Sequence, residues 1–256
     1  MLSRDALEII KLAGLADVFE PADETWAGGL KQGKGKMTYA NGDVYDGEWT
    51  NDYQHGKGKQ TYVSGDVYDG QWVNGYRSGK GHYVMASGDV YDGHYVNCKM
   101  QGKGKIVFRD GGAYEGDWVS DNPHGKGTFT WASGDVYDGD WIIGKRHGKG
   151  KEIWANGDVY DGDWMVDKKH GRGTFTWADG DVYDGDWMDA KKHGKGKMTY
   201  ANGDVYEGDW IDDKKQGEGK FSWVNGYEYE GEWVNDEMRY KNRIRKKAWQ
   251  AFKDKV

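Results

Sequence analysis

The chain has 256 residues with 42 Gly, only 2 Pro and a mean hydropathy of −0.99, a balance too poor in aliphatic residues for an ordinary globule. Its 14 Trp and 18 Tyr exclude the disorder that such hydropathy would otherwise imply, because large aromatic side chains are what a disordered segment lacks. A net charge of −7 excludes a global attraction to nucleic acid, and Cys98, the single cysteine, excludes an internal disulfide and a cysteine zinc site and fits a reducing compartment.

Taken in chain order, Ser3 to Leu15 reads as a helix with Ser3 as N-cap and an apolar face of Ala6, Ile9, Ile10 and Ala13. The charges at Arg4, Asp5, Glu8 and Lys11 make it unlike a signal peptide, and no apolar run approaches transmembrane length, so a cytoplasmic location is expected. Residues 1–23 are therefore expected to form a capping helix and linker.

From residue 24 to 236 a 23-residue period governs everything. The segment Asp43-Val44-Tyr45-Asp46-Gly47-Glu48-Trp49 recurs with its tyrosine at Tyr68, Tyr91, Tyr114, Tyr137, Tyr160, Tyr183, Tyr206 and Tyr229, and a Gly-x-Gly pair keeps the same step from Gly33 to Gly219. Trp26 begins a partial first copy. Each copy reads as a hairpin: a strand Lys36–Tyr39, a turn at Ala40-Asn41-Gly42-Asp43, and a strand Val44–Trp49. The expected register sets Tyr39 opposite Tyr45, Thr38 opposite Asp46, Met37 opposite Gly47 and Lys36 opposite Glu48, which keeps rings on one face and charges on the other. At about 4.8 Å per strand, each copy advances the sheet by about 10 Å, giving an all-β, elongated single-layer antiparallel sheet of tandem 23-residue β-hairpins with short helices at both termini.

The Tyr45 and Trp49 rows are expected to be stacking core. A different row, Tyr39, Tyr62, Met85, Phe108, Trp131, Trp154, Trp177, Tyr200 and Trp223, has no second layer to cover it and is a candidate groove for a partner helix or extended peptide. Acidic rows starting at Asp46 and Glu48 face lysines such as Lys36 and Lys59, so charge ladders explain them better than calcium or acid–base catalysis. His55, His124, His147, His170 and His193 occupy one slot whose equivalents in successive copies lie about 10 Å apart, too far to share a metal ion, so no metal is expected. Basic pairs, expected in loops, follow the later tryptophans: Lys145-Arg146, Lys168-Lys169, Lys191-Lys192 and Lys214-Lys215. They are candidate contacts for anionic headgroups, against the alternative of solvated edge protection. Tyr95, Gly112, Cys98 and Pro123 break the pattern in the third and fourth copies.

Residues 237–256 read as a basic amphipathic helix with Tyr240, Ile244, Ala248, Ala251 and Phe252 on one face and Arg243, Lys246 and Lys247 among its cations. It would cap the sheet, join the basic pairs on a membrane or bind a calmodulin-like partner.

Tyr-x-Gly-x-Trp, a short loop, His-Gly-x-Gly and an Asn-Gly turn, repeated in fixed phase over roughly residues 24–236, resemble the MORN repeat. The resemblance implies an extended single sheet with a groove on one face and use as a scaffold, in ciliary, flagellar-axonemal or other cytoskeletal assemblies. Some members are linked to phospholipid and others to helical protein segments. No nucleotide-binding or nucleophile-elbow pattern appears, so no enzyme activity, cofactor or small-molecule substrate is expected. The preferred expectation is a non-enzymatic scaffold binding a protein segment through the groove; the alternative is a phosphoinositide or anionic-membrane tether.

Overall fold

In the computed structural model the tyrosine and tryptophan of each copy project from one strand onto the same face, and that face organises two compact units, one up to Ala132 and one from Ser133. The structure describes residues 17–22, 29–239 and 245–246. Within each unit the described residues form an all-β, open antiparallel sheet in a single layer.

In the first unit Val18–Pro21 pairs with Gly33–Thr38, which pairs with Val44–Thr50, and the meander then runs strand by strand to Asn122–Thr130. The second unit runs the same way from Val136–Ile142 to Tyr227–Val234. Seven-residue strands carrying the Tyr-x-Gly-x-Trp segment alternate with nine-residue strands such as Tyr53–Thr61 and Lys168–Thr176.

Two turn types close each copy. At the first, Tyr39 N–H donates to the Asp43 carbonyl, Gly42 N–H donates to the Tyr39 carbonyl, and Gly42 takes φ +93°. This is a three-residue loop with glycine in the left-handed position. It moves the register by two residues from the expected one: Met37 faces Tyr45, Lys36 faces Asp46 and Lys34 faces Glu48. The faces are preserved because the slip is even. The second turn is two residues long with both at positive φ, as at Asn51 (49°) and Asp52 (69°), which matches the twist of a tight hairpin. It converts what the sequence suggested was a loop into strand, so the basic pairs open the strands Lys145–Ile153, Lys168–Thr176, Lys191–Thr199 and Lys214–Ser222.

The rings settle on glycine. Tyr45, wholly buried, lies over Gly47 and Gly58, where an added Cβ would collide with its hydroxyl. That hydroxyl donates to the Glu48 carbonyl at 2.9 Å, and the Trp49 indole N–H donates to the Gly35 carbonyl at 2.9 Å. Tyr45 meets Trp49 edge-on at 5.0 Å and Trp72 of the next copy at 5.3 Å, and within each unit tyrosines such as Tyr91 and Tyr160 tie two copies together in the same way.

The ends differ from expectation. Residues 1–16, with the expected N-terminal helix, lie outside the described residues, as do Trp26, Arg243 and Lys247; residues 18–21 of the expected linker are strand. Within the expected C-terminal helix, Glu237–Met238 form a short strand on Trp233 and Val234 and the Arg245–Lys246 backbone pairs with Tyr227 and Glu228, while the rest of it, residues 240–244 and 247–256, lies outside the described residues. Asn235 and Asp236, at φ 50° and 71°, repeat the two-residue turn and carry the meander past the last tryptophan.

Candidate functional site: the ring-bearing face

The candidate groove residues all occupy one position, the residue before the three-residue turn. Tyr39, Tyr62, Phe108 and Trp131 in the first unit and Trp154, Trp177, Tyr200 and Trp223 in the second are half-buried, unlike the tyrosines of the core. They share a face with the core because Met37, two residues from Tyr39, stands directly opposite Tyr45. In the second unit they rest on a middle row the sequence reading did not single out: Phe175 contacts Trp154 at 5.3 Å and Trp177 at 4.5 Å, and Phe221 contacts Trp223 at 4.8 Å.

The basic pairs divide between the two faces. Lys145, Lys168 and Lys191 point away from the rings and meet turn carboxylates: Lys145–Asp167 at 2.8 Å, Lys168–Asp189 at 3.0 Å and Lys191–Asp212 at 3.5 Å. Arg146, Lys169, Lys192 and Lys215 stand opposite Trp141, Trp164, Trp187 and Trp210 and so lie on the ring face. The Lys169 ammonium is 4.5 Å from the Trp187 ring centre, 4.4 Å from Phe175 and 5.8 Å from Trp154. Lys192 lies 4.5 Å from Trp210 and 5.5 Å from Trp177, and Lys215 lies 5.2 Å from Trp233 and 5.4 Å from Tyr200. Such ring contacts favour the cation. Burial opposes it and pushes all three lysines below the ordinary range.

Arg146 differs. Its guanidinium sits 4.4 Å from Trp164 and bonds Glu152 at 2.6 Å, a carboxylate only 5% exposed where neighbouring copies carry Phe175, Met198 or Phe221. Burial pushes the Glu152 carboxyl above its usual range and Arg146 pulls it back.

The first unit presents the same rows with other chemistry. Opposite its tryptophans, or the Tyr95 that replaces one, stand Gln54, Arg77, Met100 and Pro123. A hollow of about 480 Å³ opens between Tyr39, Tyr62, Gln54, Gln60, Trp72 and Arg77. Burial, then Asp17 and Asp43, push the Tyr39 hydroxyl up to about 12. Arg77 stacks on Tyr83 at 4.8 Å and Tyr95 at 5.2 Å, and its backbone N–H donates to Cys98 Sγ.

The opposite face holds the acidic rows. Ion pairs span it, Lys105–Glu115 at 3.2 Å and Lys149–Asp163 at 2.6 Å among them, as the charge-ladder reading expects. A second use of the acids was not foreseen. Asp140, Asp163, Asp186 and Asp209 accept from the backbone N–H of Lys149, Arg172, Lys195 and Glu218, closing the bulge at each His-Gly-x-Gly, or at Gln216-Gly217. Asp43, Asp66 and Asp89, like Asp158, Asp181 and Asp204, reach the backbone of the next copy, as in Val63 N–H to Asp43 at 2.8 Å. Gly112, at that position, has no carboxylate to offer. The histidines lie in strands, and no cluster of three or more metal-ligating side chains occurs among the described residues.

These features define a tandem-hairpin repeat protein whose glycines, tyrosines and tryptophans form a sheet with one ring-bearing face. The MORN repeat profile matches ten segments from residue 25 to 239, at 25–44, 45–67, 68–90, 91–113, 114–136, 137–159, 160–182, 183–205, 206–226 and 229–239. The chain belongs to the MORN-repeat family. No curated protein matches it. Among solved structures it is similar to the TCP10 domain of Danio rerio CPAP in complex with a peptide of STIL, at 11% identity and a TM-score of 0.49 over 90% of this chain and 97% of that one. It is also similar to the SAS-4 (dCPAP) TCP domain of Drosophila melanogaster in complex with a proline-rich motif of Ana2, at 12% identity and a TM-score of 0.37 over 59% of this chain and 83% of that one.

Proposed function

We propose that the chain is a non-enzymatic scaffold that holds a segment of a partner protein on its ring-bearing face. The carrying observation is that Trp154, Trp177, Tyr200 and Trp223 are half-buried on a single-layer sheet, with no second layer over them among the described residues. Rings fixed by neighbouring rings give contact area at little cost in side-chain entropy. A cytoskeletal setting belongs to the same reading through the family resemblance.

The anionic-membrane alternative draws less support. The eight basic residues of its four pairs point to two opposite faces, and three of those aimed away from the rings pair with turn aspartates, which lowers their joint attraction for headgroups.

Affinity capture from cytosolic and cytoskeletal extract tests the reading, using the full chain and its Trp154→Ala/Trp177→Ala variant, checked for retained fold by circular dichroism. A discrete partner captured by the first and lost by the folded variant is expected. A partner retained equally by both would overturn the groove, and flotation with anionic vesicles that survives in the variant would favour the membrane.

A further inference from the structure

The ring face of the second unit carries three ammonium groups, Lys169, Lys192 and Lys215, that make no ion pair among the described residues, although carboxylates are abundant on the opposite face. Each is floored by rings and half-buried. An ammonium has three N–H donors, and a ring floor satisfies its charge without supplying an oxygen acceptor. Such a group gains most from an anion arriving on its open side, where water is already partly displaced.

Spacing narrows the anion. The lysines recur every 23 residues, two strands apart, so their attachment points lie about 9.6 Å apart. In an extended strand, residues three apart span about 10 Å but point to opposite sides, so a strand cannot present an acid to every lysine. In an α-helix, seven residues span about 10.5 Å and return to the same side. The accumulated mismatch over the two steps from Lys169 to Lys215 is about 2 Å, within the swing of a glutamate side chain. A polyproline helix matches the step too, at about 9.3 Å for three residues, but each triplet turns one side chain to the sheet. The floor offers two chemistries per step, a ring of the Trp154 row and an ammonium beside it. A helix meets both, since apolar and acidic positions adjoin on one stripe of a heptad.

Resting on the groove reading above, we infer that the second unit receives an amphipathic helix carrying an acidic residue every seventh position beside an apolar stripe, with its carboxylates on Lys169, Lys192 and Lys215. The first unit, with Gln54, Arg77, Met100 and Pro123 in the corresponding row, lacks this file.

The test is a fluorescence titration of the full chain with a hydrocarbon-stapled synthetic helix of about four heptads, Leu at a, Ala at d and Glu at e. The comparison probes are the same helix with its Glu moved to f and a repeating Pro-Pro-Glu peptide. The e-position helix is expected to bind, to weaken as salt rises, and to lose about tenfold in affinity for each of Lys169→Gln, Lys192→Gln and Lys215→Gln, with the Glu-at-f helix far weaker. Undiminished binding by the triple variant, equal binding of both helices, tighter binding of the Pro-Pro-Glu peptide, or no binding of the e-position helix would each overturn the inference. Loss of binding in Trp154→Ala/Trp177→Ala without dependence on the lysines would overturn the acidic register and leave the groove standing; dependence on neither would remove both.

Discussion

The two units share a skeleton and differ in what they lay on it. Both stack wholly buried tyrosines edge-on against tryptophans, with Tyr95 in one tryptophan's place, and both seat those tyrosines on paired glycines. The row opposite the tryptophans, however, reads Gln54, Arg77, Met100, Pro123 in the first unit and Arg146, Lys169, Lys192, Lys215 in the second. The rows that hold a copy together tolerate almost no change, because each side chain fills a space defined by the next copy. The row beside them is only half-buried and differs between the units, and it is there that the proposed binding chemistry sits.

The largest expected effect breaks the shared part. Gly173→Ala in the second unit and Gly104→Ala in the first both drive a methyl group into a tyrosine ring and should each cost about 3 kcal/mol or more in denaturant unfolding. A large cost in one unit and none in the other would mean the skeleton is not common to both.

Glu152→Ala sharpens the difference between them. It removes the buried member of the Arg146 ion pair and leaves the guanidinium to Asp167, with an expected loss of about 2 kcal/mol, whereas Arg146→Lys combined with Glu152→Phe restores the pattern of the next copy and should be near neutral. Chemical denaturation of both variants checks this.

Alkaline pH acts on both units. Burial raises the core tyrosines above their ordinary value, Tyr68 and Tyr114 to about 12. A folded-state value above the unfolded one means that the folded chain holds protons the unfolded chain has released. The stability this gives is complete below about pH 10 and is lost as pH rises through the folded values. The half-buried lysines of the second unit, pushed down by burial, work in the opposite sense: the unfolded chain holds the extra protons, so they penalise folding below the folded value and the penalty lifts as pH rises toward about 10.4. A pH series of thermal melts from 8 to about 12 should show stability falling above about 10 and Gln substitutions at the three lysines raising stability on the neutral side.

The smallest effect concerns the tight turns. Ile143 and Val166 hold φ of 47° and 49° and are exposed, while the first unit uses Asn51, Asn74 and Asn97 at that position. Branched side chains disfavour this conformation by about 1–2 kcal/mol, so Ile143→Asn should stabilise by about 1 kcal/mol in a melt.

Much of this was legible in the sequence because the period is rigid. The 23-residue step announced the repeat, Gly47 between Tyr45 and Trp49 announced rings over backbone, and the half-buried Tyr39 row lies on the ring face as its alternation implied. The exact pairing was not legible, since two registers that differ by two residues preserve the same faces, and only the Gly42 backbone and its hydrogen bonds separate them. The second turn was hidden because Ile143-Gly144 and Val166-Asp167 carry little of the usual turn signature, which made Lys145-Arg146 and Lys168-Lys169 look like loop residues. Once those pairs are strands, alternation sends their members to opposite faces, and a presumed basic stripe becomes one row of paired lysines and one row of cations on rings.

The central claim is that the ring face of the second unit is the binding surface. Hydroxyl-radical footprinting of the full chain, free and with a captured partner, tests it most directly. Protection of Trp154, Trp177 and Trp223 with unchanged reactivity on the charged face around Lys197 and Glu207 is the predicted result; protection of the charged face with the tryptophans left open would contradict it.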